Sequence, residues 1–104
     1  MGQFDVHRNP AVVTADDFPY LLDIQSDILE LLDTRVVVPL MPATRYGKPI
    51  DRLNPVFDIE GQAYVGVFTE MAGIPRFALG EVVCSQSDRR DDIIGAVDFI
   101  LQGF

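Results

Sequence analysis

The stretch Arg35-Val36-Val37-Val38-Pro39-Leu40 (RVVVPL) decides the fold that this sequence predicts. β-branched side chains are stiff and pack well on the pleated surface of a sheet, so three consecutive valines favour a strand. We therefore expect residues 35–40 to form the central strand of a sheet. Pro39 has no N–H to donate to a strand ladder, so we expect it at the end of this strand or at a bulge.

Short strands are expected on both sides of this run. They cover residues 3–8, 20–25, 56–59, 63–69 and 76–79, and Val82 and Val83 either extend the last strand or begin another. Glu60-Gly61 predicts a hairpin turn, whereas 9–17 and 41–52 are expected to be irregular. Many short strands before one helix favour an antiparallel barrel or a strongly bent sheet with the helix packed on it.

Residues 88–104 are expected to form that helix, which is amphipathic. Its apolar face has spacings of three and four residues and consists of Ile93, Val97, Ile100 or Leu101, and Phe104. Ser87 and Asp88 are suitable N-cap residues, and Asp91 and Asp92 place negative charge where the helix dipole favours it. The apolar tip at Phe104 either folds back onto the core or meets a partner.

Composition narrows the class of protein. The 104 residues include 16 acidic and 8 basic ones, a formal net charge of −8. This charge argues against nucleic-acid binding and is compatible with a basic patch on a protein partner.

We expect a single domain over residues 1–104. No apolar run approaches the roughly 20 residues of a membrane span, no secretory signal is visible, and the single cysteine, Cys84, fits a reducing cytoplasm.

Catalytic motifs are sparse. His7 is the only histidine, and neither it nor Cys84 has the spacing of a metal site. Asp23 and Asp27 flank Gln25-Ser26 and could act as acid and base, or equally as turn and cap residues. The sequence predicts no cofactor and lowers the case for an enzyme without excluding one.

Several segments resemble the CcdB family, the toxins of CcdA/CcdB toxin–antitoxin modules, and they occur in the family's order nearly from end to end. They are Gln3-Phe4 with Val6, residues 23–29 (DIQSDIL), residues 35–40 (RVVVPL), Asn54-Pro55-Val56, Met71-Ala72 with Ile74-Pro75, Leu79-Gly80-Glu81 and Gly103-Phe104. The spacing between residues 23–27 and Val38-Pro39-Leu40 is the most specific of these features.

The resemblance implies an SH3-like antiparallel β-barrel with a C-terminal α-helix, assembled as a homodimer in the bacterial cytoplasm. It also implies a toxin, often one of plasmid maintenance, that binds the A subunit of DNA gyrase and traps the enzyme on cleaved DNA. Such a toxin carries out no chemistry of its own. A CcdA-like antitoxin would neutralise it through a disordered C-terminal segment that folds on binding.

The resemblance also implies which residues contact gyrase. Carried over position by position, they are Ile28, Leu29, Asp98, Leu101, Gln102, Gly103 and Phe104. The apolar members would supply contact area, Asp98 and Gln102 polar pairing, and Gly103 close backbone approach. Gln102 departs from the best-known plasmid member, which has a tryptophan there that stacks on an arginine of gyrase. Losing such a cation–π contact removes about 0.5–2 kcal/mol.

For the antitoxin, the resemblance is looser and indicates the loops 9–18 and 43–53, with Arg45 and Tyr46 as contacts for an acidic, apolar peptide. A merely solvated loop is an equal alternative. Two other functions also stay open. One is RNA cleavage, as in the related MazF and Kid toxins, with Arg35, Arg45, Arg52 and His7 as candidates. The other is a relative that binds antitoxin without poisoning gyrase.

Overall fold

Seven short strands form one antiparallel sheet in the computed structural model, which describes residues 2–103. In chain order they are β1 (Asp5–Arg8), β2 (Tyr20–Asp23), β3 (Thr34–Pro42), β4 (Val56–Ile59), β5 (Gln62–Gly66), β6 (Ala72–Pro75) and β7 (Val82–Ser85). Along the sheet the order is β4-β5-β3-β2-β1-β7, and β6 pairs with β3 beside this path. Two helices, α1 (Ala43–Tyr46) and α2 (Arg90–Gln102), and short 3-10 turns complete the described chain.

The prediction that residues 35–40 form the central strand is confirmed. β3 pairs with β2 along one edge, and with β6 and then β5 along the other. The prediction for Pro39 is wrong, because it lies in the middle of β3, opposite Leu21. The Pro39 carbonyl accepts a hydrogen bond from the Val67 N–H at 3.0 Å, on the edge where pairing passes from β6 to β5. A missing N–H is tolerated there because Pro39 pairs with neither strand.

The sheet curls into a half-barrel whose two end strands, β4 and β7, are joined by side chains. Gln86 follows β7 and donates through Nε2 to the carbonyl of Asp58 in β4 at 3.1 Å. Arg89 donates through Nη1 to the carbonyl of Val56 at 2.8 Å. The expected mainly β fold, an antiparallel curled sheet with a C-terminal helix, is therefore confirmed, with these two side chains closing the seam between β4 and β7.

Helix α2 covers the core as predicted over most of its length. Ile93 and Ala96 are fully buried, and Val97 and Ile100 pack against the same core. Of the two alternatives left open for this face, Ile100 is the one that packs, because 73% of Leu101 is exposed. The other core members come from the sheet and its turns: Phe4, Val6, Tyr20, Leu22, Val38, Leu40, Phe57, Ile59, Tyr64 and Phe68. No helix within residues 2–103 is both long and apolar enough to cross a bilayer.

The two ends of α2 differ from each other in how they are capped. Ser87 and Asp88 are not N-cap residues, because they lie in a 3-10 turn that precedes the helix. The cap position is Arg89, whose side chain makes no cap hydrogen bond. At the other end Gly103 has a φ of 78° and donates its N–H to the Phe99 carbonyl at 2.7 Å, which is how glycine commonly ends a helix. Phe104 lies outside the described residues.

The prediction of a strand over residues 76–79 is wrong. Arg76–Ala78 form a 3-10 turn, and the strand at this place is β6, directly before it. Gly73 and Pro75 make β6 hard to recognise, since both are poor strand formers. The segment 41–52 is also more regular than expected, because it contains the end of β3 and the short helix α1.

The remaining strand predictions are confirmed, although several strands are shorter than expected. β4 and β5 form the predicted hairpin. Glu60 and Gly61 at its turn both have positive φ values, 53° and 85°, as a two-residue hairpin turn of this kind requires. Val82 and Val83 begin a new strand, β7, which pairs with β1.

Candidate functional site

The turn after β2 presents two apolar side chains to solvent. Asp27–Leu29 form a single 3-10 turn, and the Ser26 hydroxyl caps it by accepting a hydrogen bond from the Ile28 N–H at 3.3 Å. Ile28 is 89% exposed and Leu29 is 46% exposed. Two large apolar residues held at the surface by a capped turn are typical of a contact surface. We call Asp27–Leu29 the contact turn.

A buried ion pair lies directly behind the contact turn. Arg35 donates through Nε to Asp23 at 2.8 Å, and the two side chains are 1% and 0% exposed. Arg35 also donates through Nη2 to the Gln25 carbonyl at 3.2 Å, while Asp23 accepts from the Gln25 N–H at 3.0 Å. Since both charges are shielded from water and their hydrogen bonds are made, the pair holds the chain between β2 and the turn in one shape.

Further hydrogen bonds tie the contact turn to this ion pair. The Gln25 side chain accepts from the Val36 N–H at 2.9 Å and donates to the Leu29 carbonyl at 3.3 Å. The Asp27 carboxylate accepts from the Gln3 N–H at 2.8 Å and lies 3.7 Å from the Arg35 guanidinium. Of the two roles left open for the aspartates near residue 25, these contacts favour turn and structural roles over acid–base chemistry.

Apolar exposure continues beyond the contact turn into a surface that sequence reasoning missed. Leu31 is 93% exposed, Leu32 is half-exposed, and Phe77, in the turn after β6, is 88% exposed. Arg76 connects the two segments by donating to the carbonyls of Glu30 and Leu32. We call Leu31, Leu32 and Phe77 the apolar patch. In the sequence, two adjacent leucines between acidic residues were the signal that could have indicated this exposed surface.

The helix-end residues form a second group. Asp98, Leu101, Gln102 and Gly103 are all exposed at the end of α2, as a binding role requires. Within residues 2–103, no hydrogen bond or ion pair joins them to the contact turn. One chain therefore displays the two groups expected to bind gyrase without linking them directly.

The residues expected to bind antitoxin lie on and beside α1. Arg45 donates to the carbonyl of Asp16 at 3.0 Å and pairs with the carboxylate of Asp17 at 2.7 Å. Tyr46 is half-buried beside it. The structure thus brings the two predicted loops together, and it uses part of the Arg45 guanidinium to do so.

The side chains considered for chemistry are not gathered in one place. His7 is buried on β1, where its Nδ1 lies 2.9 Å from the Gly80 carbonyl. Arg35 is buried in its ion pair, so neither side chain faces solvent where RNA would bind. Burial raises the pKa of the Cys84 thiol, which disfavours the reactive thiolate. Within residues 2–103, no three His, Cys, Asp or Glu side chains are placed to hold a metal ion.

Fold and surface together define a small curled-sheet domain, backed by one helix, that displays apolar side chains on a rigid turn. The family model described as CcdB protein matches residues 3–103, essentially the whole chain. The chain belongs to the CcdB family, the toxins of toxin–antitoxin modules. The resemblance seen in the sequence is confirmed. Toxins of this family act as gyrase poisons rather than as catalysts.

Proposed function

We propose that this protein is a bacterial cytoplasmic toxin that binds the A subunit of DNA gyrase, traps gyrase on cleaved DNA and is neutralised by a CcdA-like antitoxin. Family membership supports the toxin role. The observation that best supports gyrase as the target is the contact turn. Ile28 and Leu29 are exposed there, and a buried, hydrogen-bonded ion pair behind them holds the turn in place. Such a toxin is not an enzyme, because it acts by preferring one conformational state of gyrase.

The proposed gyrase surface combines the contact turn with the helix end. Its members are Ile28, Leu29, Asp98, Leu101, Gln102, Gly103 and Phe104. Ile28, Leu29 and Leu101 supply apolar area, which usually dominates the binding energy at the centre of an interface. Asp98 and Gln102 are exposed polar groups that can pair with basic or amide groups of the partner.

A homodimer of the single 104-residue domain accounts for the separation of these two groups. In one chain the contact turn and the helix end have no direct link among the described residues, so a surface that uses both fits a pair of chains about a two-fold axis. The apolar patch supports this proposal, because exposed leucine and phenylalanine side chains in a strongly acidic protein call for a partner surface.

Antitoxin binding is proposed for the α1 region, with Arg45 and Tyr46 as contacts. The ion pair between Arg45 and Asp17 leaves the guanidinium about half exposed, so it retains donors for an acidic peptide. Arg45→Glu tests this contact, but the new carboxylate would also repel Asp17. The control for that variant is therefore Asp17→Asn, which loosens the loop but keeps the arginine.

The test of the gyrase proposal is a cleavage assay. Purified protein is incubated with gyrase, ATP and supercoiled plasmid, and linear DNA is measured after detergent and protease. We expect linear DNA from the wild type and at least ten-fold less from Ile28→Ser at equal protein concentration. Val13→Ser is the matched control, since Val13 is an equally exposed apolar residue on another loop, and it should cleave like the wild type. Absence of cleavage and of binding to the A subunit by the wild type would contradict the proposal.

A further inference from the structure

An open groove of about 630 Å³ lies between the segment 48–56 and the first turn of α2. Its apolar surface comes from Ile50, Pro55 and Val56, and both Ile50 and Val56 are exposed. Its basic side chains are Lys48, Arg52 and Arg89, three of the eight in the sequence, and they stand beside Asp51 and Asp92. This groove therefore concentrates positive charge and apolar area in a protein whose net charge is −8.

Two of the groove's cations are unpaired, which is uncommon in this molecule. Within residues 2–103, Lys48 and Arg52 have neither an ion pair nor a hydrogen bond, and among the basic residues they share this only with Arg90. The others are engaged: Arg8, Arg35, Arg45 and Arg89 with carboxylates, and Arg76 with carbonyls. In a chain with 16 acidic residues, two cations of one groove that are paired with none of the described carboxylates favour an anionic partner from outside.

The wall of the groove is held rigid. Asn54 is buried, donates through Nδ2 to the Gly66 carbonyl at 3.1 Å, and accepts from the Ile50 N–H at 3.0 Å. Arg52 has a φ of 69°, a conformation that is unfavourable for a non-glycine residue and persists only where its surroundings impose it. Its guanidinium lies 5.2 Å from the centre of the Phe99 ring on α2. The groove is thus formed before any ligand binds, which lowers the cost of binding.

We propose that this groove binds an acidic peptide segment of the antitoxin. An apolar side chain of the segment packs against Ile50 and Val56, while carboxylates on either side reach Lys48 and Arg52. The groove begins two residues after Tyr46, so it continues the surface already proposed for antitoxin. The identity of the partner rests on the proposed function, whereas the chemistry of the segment follows from the groove.

Peptide binding to charge variants tests this inference. The probe is a fluorescent synthetic peptide that reproduces the C-terminal half of the antitoxin made with this toxin. Its Kd is measured by anisotropy over a series of salt concentrations that includes about 0.15 M, where the screening length is about 8 Å. We expect Lys48→Glu/Arg52→Glu to raise Kd at least ten-fold and to weaken its salt dependence. Ile50→Ser removes apolar contact without changing charge, and it should raise Kd at least three-fold with the salt dependence kept.

The matched control is Arg90→Glu, because Arg90 is also unpaired but stacks on Phe4 and does not line the groove. It should bind within two-fold of the wild type. Equal weakening by Arg90→Glu, or unchanged Kd in all groove variants, would overturn the groove assignment and leave the toxin proposal standing. If the wild type does not bind the peptide, the antitoxin part of the proposed function fails as well. Circular dichroism confirms that each variant is folded.

Discussion

Gln102 shows what a single residue contributes to the proposed gyrase surface. Its side chain is exposed in the last turn of α2, where an amide can form hydrogen bonds but offers no aromatic face. An aromatic ring at this position could stack on a cationic group of the partner, which contributes about 0.5–2 kcal/mol. The position therefore affects the strength of binding more than the fold.

We predict that Gln102→Trp lowers the Kd for the gyrase A subunit by roughly 2- to 30-fold, the equivalent of that energy. Calorimetry or surface plasmon resonance with the purified subunit measures the change. Ile94→Trp serves as the control, because Ile94 lies at the exposed side of the same helix, and it should leave Kd unchanged. An unchanged Kd for Gln102→Trp would show that this position lies outside the interface.

Among the elements, the contact turn depends most on groups buried behind it. Asp23 and Arg35 are almost fully shielded from water, so removing one of them leaves the other as an uncompensated buried charge. Such a change typically costs 3–5 kcal/mol, whereas replacing both partners by apolar residues costs much less.

We predict that Arg35→Met lowers the free energy of unfolding by about 3–5 kcal/mol and that Asp23→Leu/Arg35→Met restores at least half of this loss. Urea unfolding followed by circular dichroism measures both. The double variant should nevertheless bind gyrase more weakly than the wild type, because the Gln25 carbonyl loses its donor and the turn its anchor. A double variant no more stable than Arg35→Met would contradict this account of the ion pair.

How far the sequence predicts each element depends on where the stabilising interactions lie. The valine run of β3 and the Glu60-Gly61 hairpin are local signals, and both predictions are confirmed. β6 is extended only because β3 pairs with it, so its own residues, with Gly73 and Pro75, predict it poorly. Pro39 sits mid-strand because two partner strands meet beside it, which is a feature of topology and not of local sequence.

The candidate site was predictable to a similar degree. The resemblance supplied Ile28 and Leu29, and their exposure agrees with a binding role without testing it. The apolar patch was missed, because Phe77 lies about 45 positions after Leu31 and Leu32, and the two segments meet through the pairing of β6 with β3 and the bonds of Arg76. The groove was predicted only in part: the loop 43–53 was expected to contact antitoxin, whereas the wall formed by Arg89 and Asp92 comes from a distant segment.

At the scale of the whole molecule, the apolar patch and the net charge of −8 have opposite effects on association between copies of the protein. Charge repulsion keeps copies of an acidic protein apart, whereas burial of contiguous apolar surface favours association by about 25 cal/mol per Å². In the proposed homodimer the patch would supply this apolar area, and salt would strengthen the association by screening the repulsion.

For the proposed homodimer, we predict that Leu31→Ser/Phe77→Ser shifts the equilibrium toward a monomer of 11.6 kDa, with a dimer dissociation constant raised at least ten-fold. Sedimentation equilibrium at two salt concentrations measures this. Val12→Ser/Val13→Ser replaces two similarly exposed, smaller apolar side chains on another loop and should associate like the wild type. If both double variants dissociate equally, the patch has no special role in association.

The seam between β4 and β7 has a consequence for how long the protein survives in the cell. Among residues 2–103, side-chain hydrogen bonds of Gln86 and Arg89 bridge it, and Arg89 also borders the groove. A ligand in the groove would therefore stabilise the contact between β4 and β7. This would make local opening rarer and protect the chain from proteases that cleave the opened form. The antitoxin segment proposed to inhibit the toxin would thus also slow its degradation. A cell that stops making antitoxin would then still contain folded toxin.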